Sequence, residues 1–310
     1  MNKMKKKRVW IILLLISLLL LTGCDRFNLR KTSTETAGGG ILTDKVYIGT
    51  QGITMDFMKD LPPSRLYDTT NINMLIEINN KGAYKTNGKI YLGGHDKNLI
   101  RGIDTEKSFG PLEGRTKYNT EGEMETIEFS SSSINLPTGT DVYEPTLIAT
   151  MCYEYQTLSN AIVCIDPKFY DISIEEKACV PRDVPMGSGQ GGPVSVSAVR
   201  VNTIGDKAHF KIEVNNAGKG KVIRIHECPF DLEYDDLNKA KYYVTLSGKR
   251  PEKCSPSNEV RLINGKATIF CTFVIPSENK FAYQTPLEIK LDYGYMESIS
   301  KKVEIIKVPT

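Results

Sequence analysis

Ile76-Glu77-Ile78-Asn79-Asn80-Lys81-Gly82 returns as Ile212-Glu213-Val214-Asn215-Asn216-Ala217-Gly218, 136 positions later. In each copy the apolar residues alternate with polar ones. Ile72, Met74, Ile76 and Ile78 therefore share one strand face, as do Ala208, Phe210, Ile212 and Val214. Asn-Asn-x-Gly then supplies residues that tolerate left-handed backbone and ends the strand in a turn. Two further blocks follow in the same order. Ile134-Asn135-Leu136-Pro137 is echoed by Phe273-Val274-Ile275-Pro276, 139 positions later. Leu147-Ile148-Ala149-Thr150-Met151-Cys152-Tyr153-Glu154-Tyr155 is echoed by Leu287-Glu288-Ile289-Lys290-Leu291-Asp292-Tyr293-Gly294-Tyr295, 140 positions later. Constant order at nearly constant offset marks an internal duplication. A unit of roughly 110–120 residues is the size of one β-sandwich and too long for a solenoid repeat.

Working outward, turn signals separate short strands and no long stretch has a 3.6-residue apolar period, which predicts antiparallel sandwiches rather than βαβ units. Asn264-Gly265 predicts a two-residue hairpin between Val260–Ile263 and Lys266–Val274, and Asn87-Gly88 a weaker one before Lys89–Leu92. The glycine-rich stretch Met186–Pro193 reads as a linker between the copies. Apolar alternation followed by Asn-Asn-x-Gly resembles the Ig-like modules of prokaryotic surface proteins, the cell-adhesion-related type among them. That resemblance implies two tandem Ig-like domains. Antibody hallmarks are missing: no tryptophan lies outside the leader and neither repeated strand carries a cysteine.

The N-terminus fixes the expected location. Lys3, Lys5, Lys6, Lys7 and Arg8 precede a run, Val9–Leu21, that only Ser17 interrupts, and then come Thr22-Gly23-Cys24. As a helix that run extends about 20 Å, short of a ~30 Å hydrocarbon core, so it reads as a signal segment rather than a span. Leu21-Thr22-Gly23-Cys24 resembles the lipobox of prokaryotic lipoproteins. The resemblance implies that Cys24 is lipidated and becomes the mature N-terminus, anchoring the chain to the membrane. The chain carries a formal +3, but the leader holds five cations and no acid, so the mature charge is −2 and shows no footprint for nucleic acid. The expected organisation is an all-β chain: signal helix 1–23, flexible tether 24–43, first Ig-like sandwich 44–168, inter-domain segment and linker 169–193, and second Ig-like sandwich 194–310.

Six cysteines remain besides Cys24, an even number that favours disulfides in an exported chain. A hairpin turning near Gln156–Asn160 would join Cys152 to Cys164. Cys254 and Cys271 flank the Asn264-Gly265 turn, and Cys179 with Cys228 remain by elimination. A zinc site at Cys228 and His226 lacks any Cys-x-x-Cys spacing. Asp231, Glu233, Asp235 and Asp236 form an acidic loop that is either solvated or a calcium candidate without the EF-hand glycine and terminal glutamate. His95-Asp96 imitates a catalytic pair, but adjacent residues on a turn rarely bond to each other in that way. His209 reads as an outward strand residue, and His226 sits on a predicted strand end. Ser188 lacks Gly-x-Ser-x-Gly spacing, and no phosphate-binding or dinucleotide fingerprint appears. No catalytic residue and no cofactor is therefore expected. The function expected is a membrane-anchored envelope lipoprotein that binds a surface protein, adheres or scaffolds. A solute-binding lipoprotein or an extracellular hydrolase are the alternatives.

Overall fold

The computed structural model describes residues 45–170, 176–187, 189–226, 228 and 232–309. The signal segment, Cys24, the tether and Asp231 lie outside the described residues. In chain order the first half forms β1 (Ile53–Phe57), β2 (Arg65–Tyr67), β3 (Asn73–Asn80), β4 (Thr86–Gly93), β5 (Ile100–Arg101), β6 (Glu106–Leu112), β7 (Met124–Ser130), β8 (Ser133–Ile134), β9 (Val142–Tyr143) and β10 (Thr146–Ile165). The second half forms β11 (Val184–Pro185), β12 (Val194–Ile204), β13 (Lys207–Asn216), β14 (Lys221–Ile223), β15 (Lys239–Leu246), β16 (Lys253–Ser255), β17 (Glu259–Arg261), β18 (Lys266–Val274), β19 (Tyr283–Lys302) and β20 (Glu304–Ile306). Among the described residues the only helical element is a 3-10 turn, Tyr234–Asp236, so the described chain is all-β.

The alternating faces behave as their pattern predicts. Met74, Ile76 and Ile78 of β3 and Ala208, Phe210, Ile212 and Val214 of β13 are fully buried, each side chain contributing about 1.5–3 kcal/mol for the larger residues. β3 lies in a sheet ordered β1-β3-β7, and β13 in one ordered β11-β12-β13-β18-β16. Both pack against a single sheet ordered β17-β15-β19-β10-β4-β6, with β14 also paired to β19. One contiguous apolar cluster runs through both halves.

β10 and β19 pair antiparallel over all 20 residues of each, from Thr146 opposite Lys302 to Ile165 opposite Tyr283. At about 3.4 Å per residue this ribbon is roughly 65 Å long. Near its middle Glu154 stands opposite Gly294, and these two are themselves equivalent in the duplication. A local two-fold axis therefore passes between them. β4 pairs with β10 only from Ile148 to Tyr153, and β15 with β19 only from Leu287 to Asp292. Each long strand thus serves its own half along one stretch and completes the other half's sheet along the rest. The C-terminus also crosses over. β20 sits between β2 and β9 of the first half, with Val303 and Ile305 fully buried.

Three local readings change. No hairpin forms at Gln156–Asn160, because those residues lie inside β10. Asn87-Gly88 is strand interior, not turn: a side chain at Gly88 would meet the Phe109 ring at 2.7 Å and Tyr153 Cβ at 2.8 Å, next to a register shift between Thr86 and Gly88. The stretch read as a linker is packed at its far end, where Gln190–Pro193 are buried and Gln190 brackets Val196 with bonds of 2.9 and 2.7 Å.

Asn264-Gly265 does form a tight turn, but β17 and β18 on either side of it belong to different sheets, so it joins two sheets rather than closing a hairpin of paired strands. Ile263 and Lys266 exchange backbone bonds of 2.8 and 3.1 Å, and φ is 52° at Asn264 and 74° at Gly265, the two positive values a tight hairpin turn needs. No atom lies closer than 3.8 Å to a Cβ placed on Gly265, so only backbone conformation is at stake. Gly265→Ala is expected to cost about 1 kcal/mol, a melting shift of about 2–4 °C. An unchanged melting temperature would show that the turn does not require its glycine.

Candidate interaction surface

The duplication builds the same construction twice around the axis. Tyr155 Oη accepts from the Tyr84 amide at 3.1 Å and donates to the Gly191 carbonyl at 2.9 Å. Tyr295 Oη accepts from the Gly220 amide at 2.8 Å. In each copy the second asparagine of Asn-Asn-x-Gly ties the turn. Asn80 Nδ2 reaches the Tyr84 carbonyl at 2.8 Å, and Asn216 Nδ2 the Gly220 carbonyl at 2.9 Å. Tyr153 and Tyr293 likewise receive the amides of Ile53 and Val194 at 3.1 and 3.2 Å. Burial raises all four phenols, Tyr295 to about 12, so they act as protonated structural donors and acceptors. The motif was legible in the sequence. Its tyrosine partners lay in the third repeated block, but nothing in the spacing joined the two.

One copy carries an insertion. Where β4 of the first half is continuous, its counterpart is split into β14 and β15 by residues 224–238. This strap crosses onto the outer face of the shared sheet. Cys228 is bonded to Cys152 of β10, and Leu232 and Leu237 pack over Tyr91, Cys152 and Ile223. His226, in a turn with φ of 71° rather than on a strand end, places Nδ1 2.6 Å from Glu154 Oε1.

The cysteine pairing expected from the sequence is corrected accordingly. Cys152 pairs with Cys228, and Cys164 with Cys179. With no hairpin between them, Cys152 and Cys164 stand about 40 Å apart along one extended strand and cannot bond. Cys254 and Cys271 are joined, facing each other across β16 and β18.

The acidic loop folds the strap. Asp236 meets Arg224 Nη1 at 2.9 Å and accepts the Glu233 amide at 3.1 Å, closing the short turn. Asp235 meets Arg261 Nη2 at 2.9 Å, and the Arg261 guanidinium lies 4.6 Å from the Tyr234 ring. These carboxylates face cations rather than a common centre. Among the described residues no cluster of three metal-ligating side chains is gathered.

His95 and Asp96 do not form a pair. Asp96 accepts the Asn98 amide at 2.8 Å, while both His95 ring nitrogens are enclosed without a hydrogen-bond partner. Burial pushes the imidazole below its ordinary value of 6.5. Protonation is thus easier in the unfolded chain, so stability held above pH 6.5 is lost as pH falls below it. His95→Gln is expected to flatten this acid-side loss between pH 7 and 5, measured as melting temperature against pH. Parallel curves for both proteins would contradict the assignment. His209, half-buried, lies 3.1 Å from Thr272 Oγ1 on the neighbouring strand.

An exposed apolar surface lies at the Ile165/Tyr283 end of the β10–β19 ribbon, where Tyr170 and Phe281 are about 70% exposed beside Phe169 and Lys168. No protein-family model matches the chain, and no curated protein matches it either.

Proposed function

We propose that this chain is an exported lipoprotein, held by Cys24 at the outer face of the cytoplasmic membrane or at the cell surface. It presents two Ig-like sandwiches, each completed by a strand of the other, to bind or scaffold an envelope or surface protein. The observation that carries the reading is the lipobox-like Leu21-Thr22-Gly23-Cys24 on a chain whose six other cysteines are all oxidised. Disulfides persist in oxidising compartments, and two acyl chains suffice for stable attachment. Among the described residues no helix is long and apolar enough to cross a membrane. The solute-binding alternative calls for two α/β lobes around a cleft, whereas the described chain is strand throughout. The hydrolase alternative rested on His95-Asp96 and the acidic loop; Asp96 accepts the Asn98 amide, and Asp235 and Asp236 face Arg261 and Arg224.

The test is metabolic labelling with a fatty acid, followed by membrane fractionation. Wild-type protein is expected to take up label and sediment with membranes, and Cys24→Ser to take up none. Label persisting in Cys24→Ser, or absent from the wild type, would overturn the proposal.

A further inference from the structure

The duplication makes two faces of the shared sheet equivalent, and only one of them is covered. In the first half, Tyr91 pairs with Thr150, and Lys89 with Cys152. In the second half, Tyr243 pairs with Lys290, and Lys241 with Asp292. Thr150 and Lys290 are 140 positions apart, as are Cys152 and Asp292, so Lys89-x-Tyr91 and Lys241-x-Tyr243 occupy the same place in the two copies. Tyr91 is 6% exposed beneath Leu232 and Leu237 of the strap, whereas Tyr243 is 44% exposed. The strap is an insertion in one copy alone, so among the described residues the second face has no counterpart that covers it.

Resting on the protein-binding reading above, we infer that the face centred on Tyr243 is a docking site for an irregular polypeptide segment of a partner, bearing leucine-type side chains beside carboxylates. The chain shows what the apolar part of this platform accepts, because Leu232 and Leu237 of its own strap pack on the equivalent face, while the strap's Asp235 and Asp236 pair with Arg261 and Arg224. The chemistry of the open face fits. Lys290 Nζ and Lys241 Nζ lie 4.5 and 5.5 Å from the Tyr243 ring centre, flanking an aromatic surface with two ammonium groups. Leu158 stands opposite Lys290 on β10 and extends the apolar floor. Asp292, 3.1 Å from Lys290, and Glu259, opposite Lys241 on β17, neutralise part of this charge, and Glu288 lies exposed two residues along β19. A carboxylate of the incoming segment would compete with Asp292 for Lys290 and meet Lys241 at the ring edge.

The test is fluorescence anisotropy with a labelled synthetic peptide of residues 229–238, titrated with the full-length protein in detergent. Saturable binding is expected, weakened at least tenfold by Tyr243→Ala and little changed by Tyr243→Phe. A peptide with Asp and Glu replaced by Lys is expected to bind at least tenfold more weakly. Absence of saturable binding, or affinity indifferent to Tyr243→Ala, would overturn the inference. Concentration-dependent dimerisation abolished by Tyr243→Ala would also overturn it, assigning the face to a second copy. These outcomes are independent of the fatty-acid labelling, so failure here leaves the lipoprotein proposal standing.

Discussion

Gly82→Ala is expected to destabilise the protein by about 3–5 kcal/mol, the largest effect of any methyl-sized change considered. A Cβ at Gly82 would overlap the Tyr155 hydroxyl and come within 2.7 Å of the Gly191 carbonyl and 2.8 Å of the Gln51 carbonyl. Two of those neighbours are backbone and cannot rotate away. If Tyr155 moves instead, the Tyr84 amide and the Gly191 carbonyl lose their partner at a buried site. The midpoint should fall by about 10 °C on heating. Adding Tyr155→Phe should recover part of the loss in a double-mutant cycle, because the clashing oxygen is then gone. Gly218→Ala should repeat the effect in the second half, where the same Cβ would overlap the Tyr295 hydroxyl. A loss below about 1 kcal/mol in both variants would mean that the glycine is not placed against its tyrosine.

Removal of the strap's disulfide is the second large effect. Cys152 and Cys228 are 76 residues apart, against 15 for Cys164–Cys179 and 17 for Cys254–Cys271. Loop-closure entropy then assigns about 4.5 kcal/mol to the first bridge and about 3 kcal/mol to each of the others. Paired serine substitutions should rank in that order in denaturant unfolding. The His226–Glu154 ion pair is mostly exposed and compensates for little of the loss. Cys152→Ser with Cys228→Ser should also loosen the cover over Tyr91, read as faster hydrogen exchange in β4. If this pair cost less than either short bridge, the cross-half clasp would not be the main covalent constraint.

Much of this architecture was legible from alternation alone. A period of two identifies which side chains face the core, and β3 and β13 followed it without exception. Period two does not say which strand lies alongside, and there the reading of Gln156–Asn160 as a turn failed. Its polar residues imitate a loop, yet Thr157 and Ser159 face inward and are 1% exposed. Thr157 Oγ1 is satisfied by Tyr293 Oη at 2.8 Å, and Ser159 by Gln190. Buried, hydrogen-bonded hydroxyls and a solvated turn look alike in a string of letters. The pairing of Cys152 was hidden for the same reason, since its partner sits on an insertion that only the long-range β10–β19 register brings near. The acidic loop was visible as a cluster, but its cations, Arg224 and Arg261, come from either side of it in the chain.

β10 and β19 weld the two copies into one cooperative body, which sets the covered face and the open face side by side. Native-state hydrogen exchange along Thr146–Ile165 tests it most directly. Amides on both sides of Glu154 are expected to exchange through one opening of equal free energy and equal denaturant dependence. Separate openings, with the stretch beside β4 exchanging while the stretch beyond Gln156 stays protected, would contradict it.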